Sequence, residues 1–285
     1  MKNVALVISS GGARGLAAIG IIEELEKQGY KVTSISGCSI GSLIGGMYAS
    51  GNLSKFKDWV IQLDKKDVFR LMDFTINHQG VLKGDKIFNE IKTIFQDIEI
   101  ENLPVPYSAV AVDLISHTEY VFKSGSLFNA IRASCAIPSI VTPIKIKNKV
   151  LVDGGIINPL PLSHVKRTKD DILICIDLNS FEPDHHKTES SYLIDYDKYI
   201  RSLSSYLPIN IDNFSLTKSG KVGGFFDIAG RTFQIMQDKI IQDSIEKHKP
   251  NIVINVPRSS SSMFDFFKAN ELINLGRTLF LQQIK

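Results

Sequence analysis

The stretch that decides the fold runs from Val4 to Ala49 and reads VALVISSGGARGLAAIGIIEELEKQGYKVTSISGCSIGSLIGGMYA. Val4–Ser9 is a mostly apolar run of strand length, and Ser10-Gly11-Gly12 closes it. Leu16–Gln28 follows with Leu16, Ile19, Ile22 and Leu25 at helical spacing, and Gly29 is its stop signal. Val32–Ser36 is a second short strand ending at Gly37. Ile40–Ala49 is a Gly-rich helix that is apolar nearly all round, so it must be buried. Strand, helix, strand, helix at this spacing predicts an α/β fold with a mostly parallel sheet and right-handed crossovers.

Working outward, Asn52–Phe95 reads as mostly helical and more polar, with a loop near Asn77–Gly80. Tyr107–Leu114 and Glu119–Phe122 predict a hairpin, and Leu127–Ser134 a helix that stops before Pro138. Val141–Lys147 and Lys149–Val152 predict a second hairpin ending at Asp153-Gly154-Gly155. Ile172–Leu178 is the last clear buried strand of the core. Asn179–Thr188 is a polar loop, Tyr192–Leu207 and Phe225–Lys247 read as helices, Asn251–Val256 as a strand and Lys268–Gln283 as a closing helix. Without repeats or a strong linker, the expectation is one domain over residues 1–285. Its catalytic core would span about 1–180, with a helical C-terminal elaboration over about 181–285.

Bulk composition narrows the function classes. With 285 residues, 44% hydrophobic and 22% charged, the chain can bury a full core and is not disordered. A net charge of +3 is too small for a dedicated nucleic-acid binder, so no nucleic-acid partner is expected. Cys38, Cys135 and Cys175 show no paired spacing and read as thiols of a reducing compartment. The N-terminal apolar run is too short for a signal peptide, and no stretch approaches the roughly 20 apolar residues of a membrane span. The expected location is therefore cytoplasmic. No metal-ligand spacing appears, so no metal and no cofactor are expected.

Gly37-Cys38-Ser39-Ile40-Gly41 matches G-x-S-x-G with a strand directly before and a helix directly after, the context this pattern requires. The flanking glycines let neighbouring chain pass close while Ser39 is pushed out at a helix N-terminus. A tight turn with Ser39 as N-cap would explain the serine alone. Ser10-Gly11-Gly12-Ala13-Arg14-Gly15 closes the first strand in the same way. Its adjacent glycines and the following helix N-terminus can aim N–H groups at one anionic point. A dinucleotide site would want a glycine at position 10 and an acid at the end of the second strand, and neither is present.

A serine hydroxyl needs a base within reach. The six histidines offer no persuasive frame. His78 and the adjacent His185 and His186 lie in polar loops, while His164 and His248 sit in helical stretches flanked by lysine; a histidine triad is the runner-up arrangement. Asp153 ends an alternating run, and the two glycines after it allow a sharp turn that fixes the carboxylate. Its ordinary pKa near 4 makes it a weak base, but partial desolvation against the serine would raise it. By itself, Asp-Gly-Gly also fits a plain turn.

These three elements, in this order, resemble the patatin-like phospholipase family, specifically its small bacterial members. Arg132-Ala133-Ser134 with Pro138 and Pro143, Asn158-Pro159 after the aspartate, and Phe264-Asp265-Phe266 extend the likeness over most of the chain. The resemblance implies a three-layer sandwich with a central sheet flanked by helices. It also implies a Ser39–Asp153 dyad, with Gly11 and Gly12 as oxyanion donors. Arg14, Gly15, Gly37, Gly41, Gly154 and Gly155 would support the loop and the elbow. Ser10 stands where the fuller pattern has its first glycine, a position the two donors do not need. The implied reaction is hydrolysis of a phospholipid or other fatty-acyl ester through an acyl-enzyme. Phe225-Phe226 and the apolar positions of Phe233–Ile241 could make peripheral membrane contact, although ordinary packing explains them as well. Lys145, Lys147 and Lys149 alternate along one strand and could meet anionic head groups, or simply solvate an edge. The rival classes are a general carboxylesterase or thioesterase on short esters, and a non-catalytic lipid-binding protein.

Overall fold

A computed structural model describes residues 1–77, 80–181 and 225–284. The opening alternation forms as expected: β1 (Lys2–Ile8), α1 (Leu16–Lys27), β2 (Tyr30–Cys38) and α2 (Ile40–Ala49). There follow α3 (Leu53–Val60), α4 (Lys65–Leu71), β3 (Phe74–Asn77), β4 (Gly80–Leu82) and α5 (Asp85–Ile94). Next come β5 (Tyr107–Asp113), β6 (Thr118–Phe122), α6 (Leu127–Ser134), β7 (Ser139–Val141), β8 (Ile144–Ile146) and β9 (Lys149–Asp153). The chain closes with β10 (Ile172–Ser180), α7 (Phe225–His248), β11 (Ile252–Pro257) and α8 (Ala269–Gln283). The helix expected over Tyr192–Leu207 lies outside the described residues.

An open eight-stranded sheet forms the middle layer, in the order β11-β10-β1-β2-β5-β9-β8, with β6 added to β5. From β11 to β5 every pairing is parallel; β6, β9 and β8 are antiparallel additions. β1 is buried on both faces, which is why its sequence is a continuous apolar run. Val4, Leu6 and Ile8 join the large cluster with α1, α2, α6 and α8. Ala5 and Val7 face the other way, onto Leu160, Leu162, Val165 and Ile241 of α7. Helices thus cover both faces, and β11 shows that the region after residue 181 also extends the central sheet.

Two local readings change. The polar segment after Asn52 holds a hairpin, β3–β4, which joins β7 in a separate three-stranded sheet. The strand expected over Val141–Lys147 is split, because Val141 ends β7 and only Ile144–Ile146 pair with β9. Lys145, Lys147 and Lys149 therefore do not share one strand. Lys147 sits in the β8–β9 turn with φ 53°, and Lys149 bonds Asp113 at 3.2 Å.

One junction positions the site. Ala109 and Val110 of β5 pair with both β2 and β6, while Ala111–Asp113 pair with both β6 and β9. A strand has two edges, so β2 and β9 must share one of them. They run in opposite directions and meet end to end: Cys38 sits against Val110, and Asp153 sits against the next residue, Ala111. The strand pairing itself brings the residue after Cys38 to Asp153.

Candidate active site

Ser39 occupies the turn between β2 and α2 with φ 54° and ψ −126°, a left-handed conformation that costs energy for any residue with a Cβ. Three contacts hold it there. Its N–H donates to Ser134 Oγ at 2.8 Å, Ser134 Oγ donates onward to the Val110 carbonyl at 2.7 Å, and its own carbonyl accepts from Ser42 Oγ at 2.6 Å. Glycines are required on both sides. A Cβ at Gly37 would lie 2.3 Å from the Gly41 carbonyl oxygen, and one at Gly41 would lie 2.3 Å from the Ile8 carbonyl oxygen.

Asp153 is buried at the end of β9. Burial pushes its carboxyl up to about 6; hydrogen bonds from the Ser39 hydroxyl, the Gly155 N–H and the Cys38 thiol hold back a larger rise. The Gly155 N–H donates to Oδ1 at 2.7 Å, and Cys38 Sγ approaches the same oxygen at 3.6 Å. Gly154 lets the turn pass under the elbow, since a Cβ there would meet the Val110 carbonyl oxygen at 2.4 Å. A carboxylate of this basicity beside a serine hydroxyl can accept that proton near neutral pH.

The glycine loop forms a single 3-10 turn, Gly12–Gly15, between β1 and α1. The first N–H groups of such a turn have no carbonyl behind them within the helix. The Ala13 N–H is taken by the Met263 carbonyl at 2.8 Å, so Gly11 and Gly12 just before it are the loop's candidate donors. Arg14 points away from solvent and ties the loop down. Its Nε donates to the Leu178 carbonyl at 2.6 Å, Nη1 to the Ser261 carbonyl at 3.1 Å and Nη2 to Asn179 Oδ1 at 2.8 Å. A Cβ on Gly15 would strike the Ile40 side chain at 2.2 Å, so the loop packs directly on the elbow helix.

The fold thus gathers Ser39, Asp153 and the glycine loop. It also recruits residues with no local signal. Gln237 of α7 donates to the Gly155 carbonyl at 2.8 Å and lies 3.5 Å from Ser10 Oγ, so the serine in the glycine's place meets a partner. Ser134 lies in the quoted Arg-Ala-Ser segment, whose likeness gave it no role. Of the described histidines, His164 is in a turn rather than a helix and lies 2.5 Å from Glu119, His117 is in the β5–β6 turn and His248 ends α7. His78, His185 and His186 lie outside the described residues. Among the described residues, no group of three or more His, Cys, Asp or Glu could hold a metal ion, and no helix is long and apolar enough to cross a membrane.

Residues 6–166 match the Patatin-like phospholipase family. The chain belongs to that family. An uncharacterised NTE family protein of Mycobacterium tuberculosis H37Rv is 30% identical, the alignment covering 99% of this chain and 91% of that protein. Patatin-like phospholipase domain-containing protein 6 of Mus musculus is 33% identical over 63% of this chain, which is 14% of the mouse protein. Among solved structures, VipD from Legionella pneumophila aligns with a TM-score of 0.40 and 13% identity, covering 96% of this chain and 67% of that one. The patatin-like phospholipase match takes in the glycine loop, the elbow, Asp153 and Asn158-Pro159. Gln237 and Met263 lie beyond it. Membership places the chain among lipid ester hydrolases.

Proposed function

We propose that this protein is a serine lipid acyl hydrolase that cleaves fatty-acyl esters of phospholipids or related lipids. The observation that carries this reading is the end-to-end meeting of β2 and β9, which brings Ser39, the residue after Cys38, to the buried Asp153 carboxylate of raised basicity. Ser39 Oγ attacks the ester carbonyl carbon while its proton passes to Asp153. The oxyanion forms against the Gly11 and Gly12 N–H groups. Its collapse breaks the bond to the leaving alkoxide, which takes the proton from Asp153. Water, deprotonated by Asp153, then attacks the acyl-enzyme, releasing the fatty acid and restoring Ser39.

A general esterase or thioesterase would use the same groups. What favours a lipid is α7, which reaches the site through Gln237 and leaves Ile228, Ile235 and Met236 exposed. The test compares wild type with Ser39→Ala and Asp153→Asn on a medium-chain nitrophenyl ester and on a fluorogenic phospholipid, with calcium and chelator varied. Both substitutions are expected to abolish turnover in folded protein, and the phospholipid is expected to be the better substrate. Near-normal activity of Asp153→Asn would remove Asp153 as the base. A marked preference for the short ester would instead select the general esterase.

A further inference from the structure

The Asp153 turn is held from outside by a polar chain that starts on β6. Glu119 directs both carboxylate oxygens at groups beyond its own strand. Oε1 accepts from Asn158 Nδ2 at 3.1 Å, and Oε2 lies 2.5 Å from His164 Nε2. The His164 bond, then burial opposing it, leaves the Glu119 carboxyl below its usual range. His164 is itself anchored, because its carbonyl accepts from Ser108 Oγ, which also bonds Ser36 Oγ. The gripped residue, Asn158, stands between the two working parts of the site. Its N–H donates to the Gly154 carbonyl at 2.9 Å, and the next carbonyl, that of Pro159, accepts the Ser10 N–H at 2.8 Å.

We infer that Glu119 and His164 are positioning residues for this site, acting through Asn158 and Pro159 on the Asp153-Gly154-Gly155 turn and on the glycine loop at once. The inference rests on the Ser39–Asp153 reading above. A free Asn158-Pro159 segment would leave two placements unsupported. Gly155, whose N–H bonds Asp153, would lose the brace at Gly154, and Gly11 would lose the anchored Ser10 before it. Both loosen groups aimed at the reacting atoms and leave the surfaces that bind the acyl chain untouched. Misplacements of about 1 Å at such groups cost on the order of a hundredfold in rate.

The experiment uses the full chain, a medium-chain nitrophenyl ester and the variants Glu119→Ala, Asn158→Ala, His164→Ala and Glu119→Gln, with Ser39→Ala as control. The three alanine variants should lower kcat by roughly ten- to a hundredfold with KM within about twofold. They should also move the acid limb of the kcat profile to higher pH, because Asp153 loses support from the Gly155 N–H. Glu119→Gln keeps an acceptor for Asn158 and a partner for His164, so it should recover most of kcat and the normal limb. A merely destabilised fold would lose active protein but leave the limb where it was. Any folded alanine variant with wild-type kcat and an unmoved limb overturns the inference. If none of the three folds, it is overturned too, since the chain would then belong to the core. If Ser39→Ala turns over the ester like wild type, the Ser39–Asp153 reading fails and takes this one with it.

Discussion

At the scale of single residues, Asp153 makes the protein less stable when its carboxylate is ionised. Its folded-state pKa of about 6 lies above the unfolded value near 4, so folding favours the protonated form. That contribution is fully present below about pH 4 and is lost as pH rises through about 6. Above that, keeping the carboxylate ionised and buried costs on the order of 3 kcal/mol at most. Asp153→Asn cannot ionise and retains an acceptor for the Gly155 N–H. It should therefore melt at a higher temperature than wild type at pH 8, by about 1–3 kcal/mol of stability, with the difference vanishing at pH 4. Over the same range wild-type kcat/KM should rise through an acid limb near pH 6. Melting curves at the two pH values and one pH–rate profile decide it. An Asn variant less stable than wild type at pH 8 would mean that the carboxylate is not strained by burial. Ser39 is a second residue held against its preference, since its positive φ survives only because Ser134, Ser42 and two glycines fix the turn.

Among the elements, α1 and α8 cross in close contact. A Cβ at Gly20 would lie 2.0 Å from the Ile273 carbonyl oxygen, and one at Gly276 would lie 1.9 Å from the Ala17 carbonyl oxygen. The two helices approach backbone to backbone, and neither can move without dragging the other. Gly276→Ala should destabilise the protein by about 2–3 kcal/mol, despite the better helix propensity of alanine. A urea titration reads this directly, and an unchanged midpoint would show that the helices can part. Nothing in the local pattern foretells this joint. The spacing of Leu16, Ile19, Ile22 and Leu25 predicts α1 and its buried face, but the partner of Gly20 lies at the far end of the chain. The same reason hides the β3–β4–β7 sheet. Its strands are three or four residues long, too short to show a period of two. The loop expected near Asn77–Gly80 centres on residues 78 and 79, which lie outside the described residues. Long buried strands such as β1 and β10 announce themselves, because burial on both faces demands a nearly continuous apolar run, which in β10 only Asp177 interrupts before Leu178.

On the scale of the whole molecule, the site draws on the first fifty residues, the middle and the last fifty. The parts legible in sequence are those with local steric demands. Gly37 and Gly41 must bracket Ser39, Gly11 and Gly12 must open a helix, and Gly154 must pass under Val110. Gln237, Met263, Glu119 and His164 carry no such demand and join the site only through the sheet order and the helix laid over it. α7 shows this best. Gln237 and Ser244 bond inward, to Gly155 and Leu160, and Ile241 packs beneath the sheet. Ile228, Ile235 and Met236, at 51%, 68% and 53% exposure, face out. A helix that reaches the site on one side and shows apolar side chains on the other is suited to rest on a lipid surface. Sinking one such side chain into lipid gains about 1.5–3 kcal/mol, roughly tenfold or more in surface affinity. Ile235→Asp with Met236→Asp should therefore cut hydrolysis of phospholipid vesicles at least about tenfold while leaving a soluble nitrophenyl ester within about twofold. Charge is the wrong property for a lipid face and a tolerable one for solvent, so the split between substrates is the informative quantity. An equal fall on both would place the two residues in folding or chemistry. No fall on either would mean that lipid reaches Ser39 past some other face.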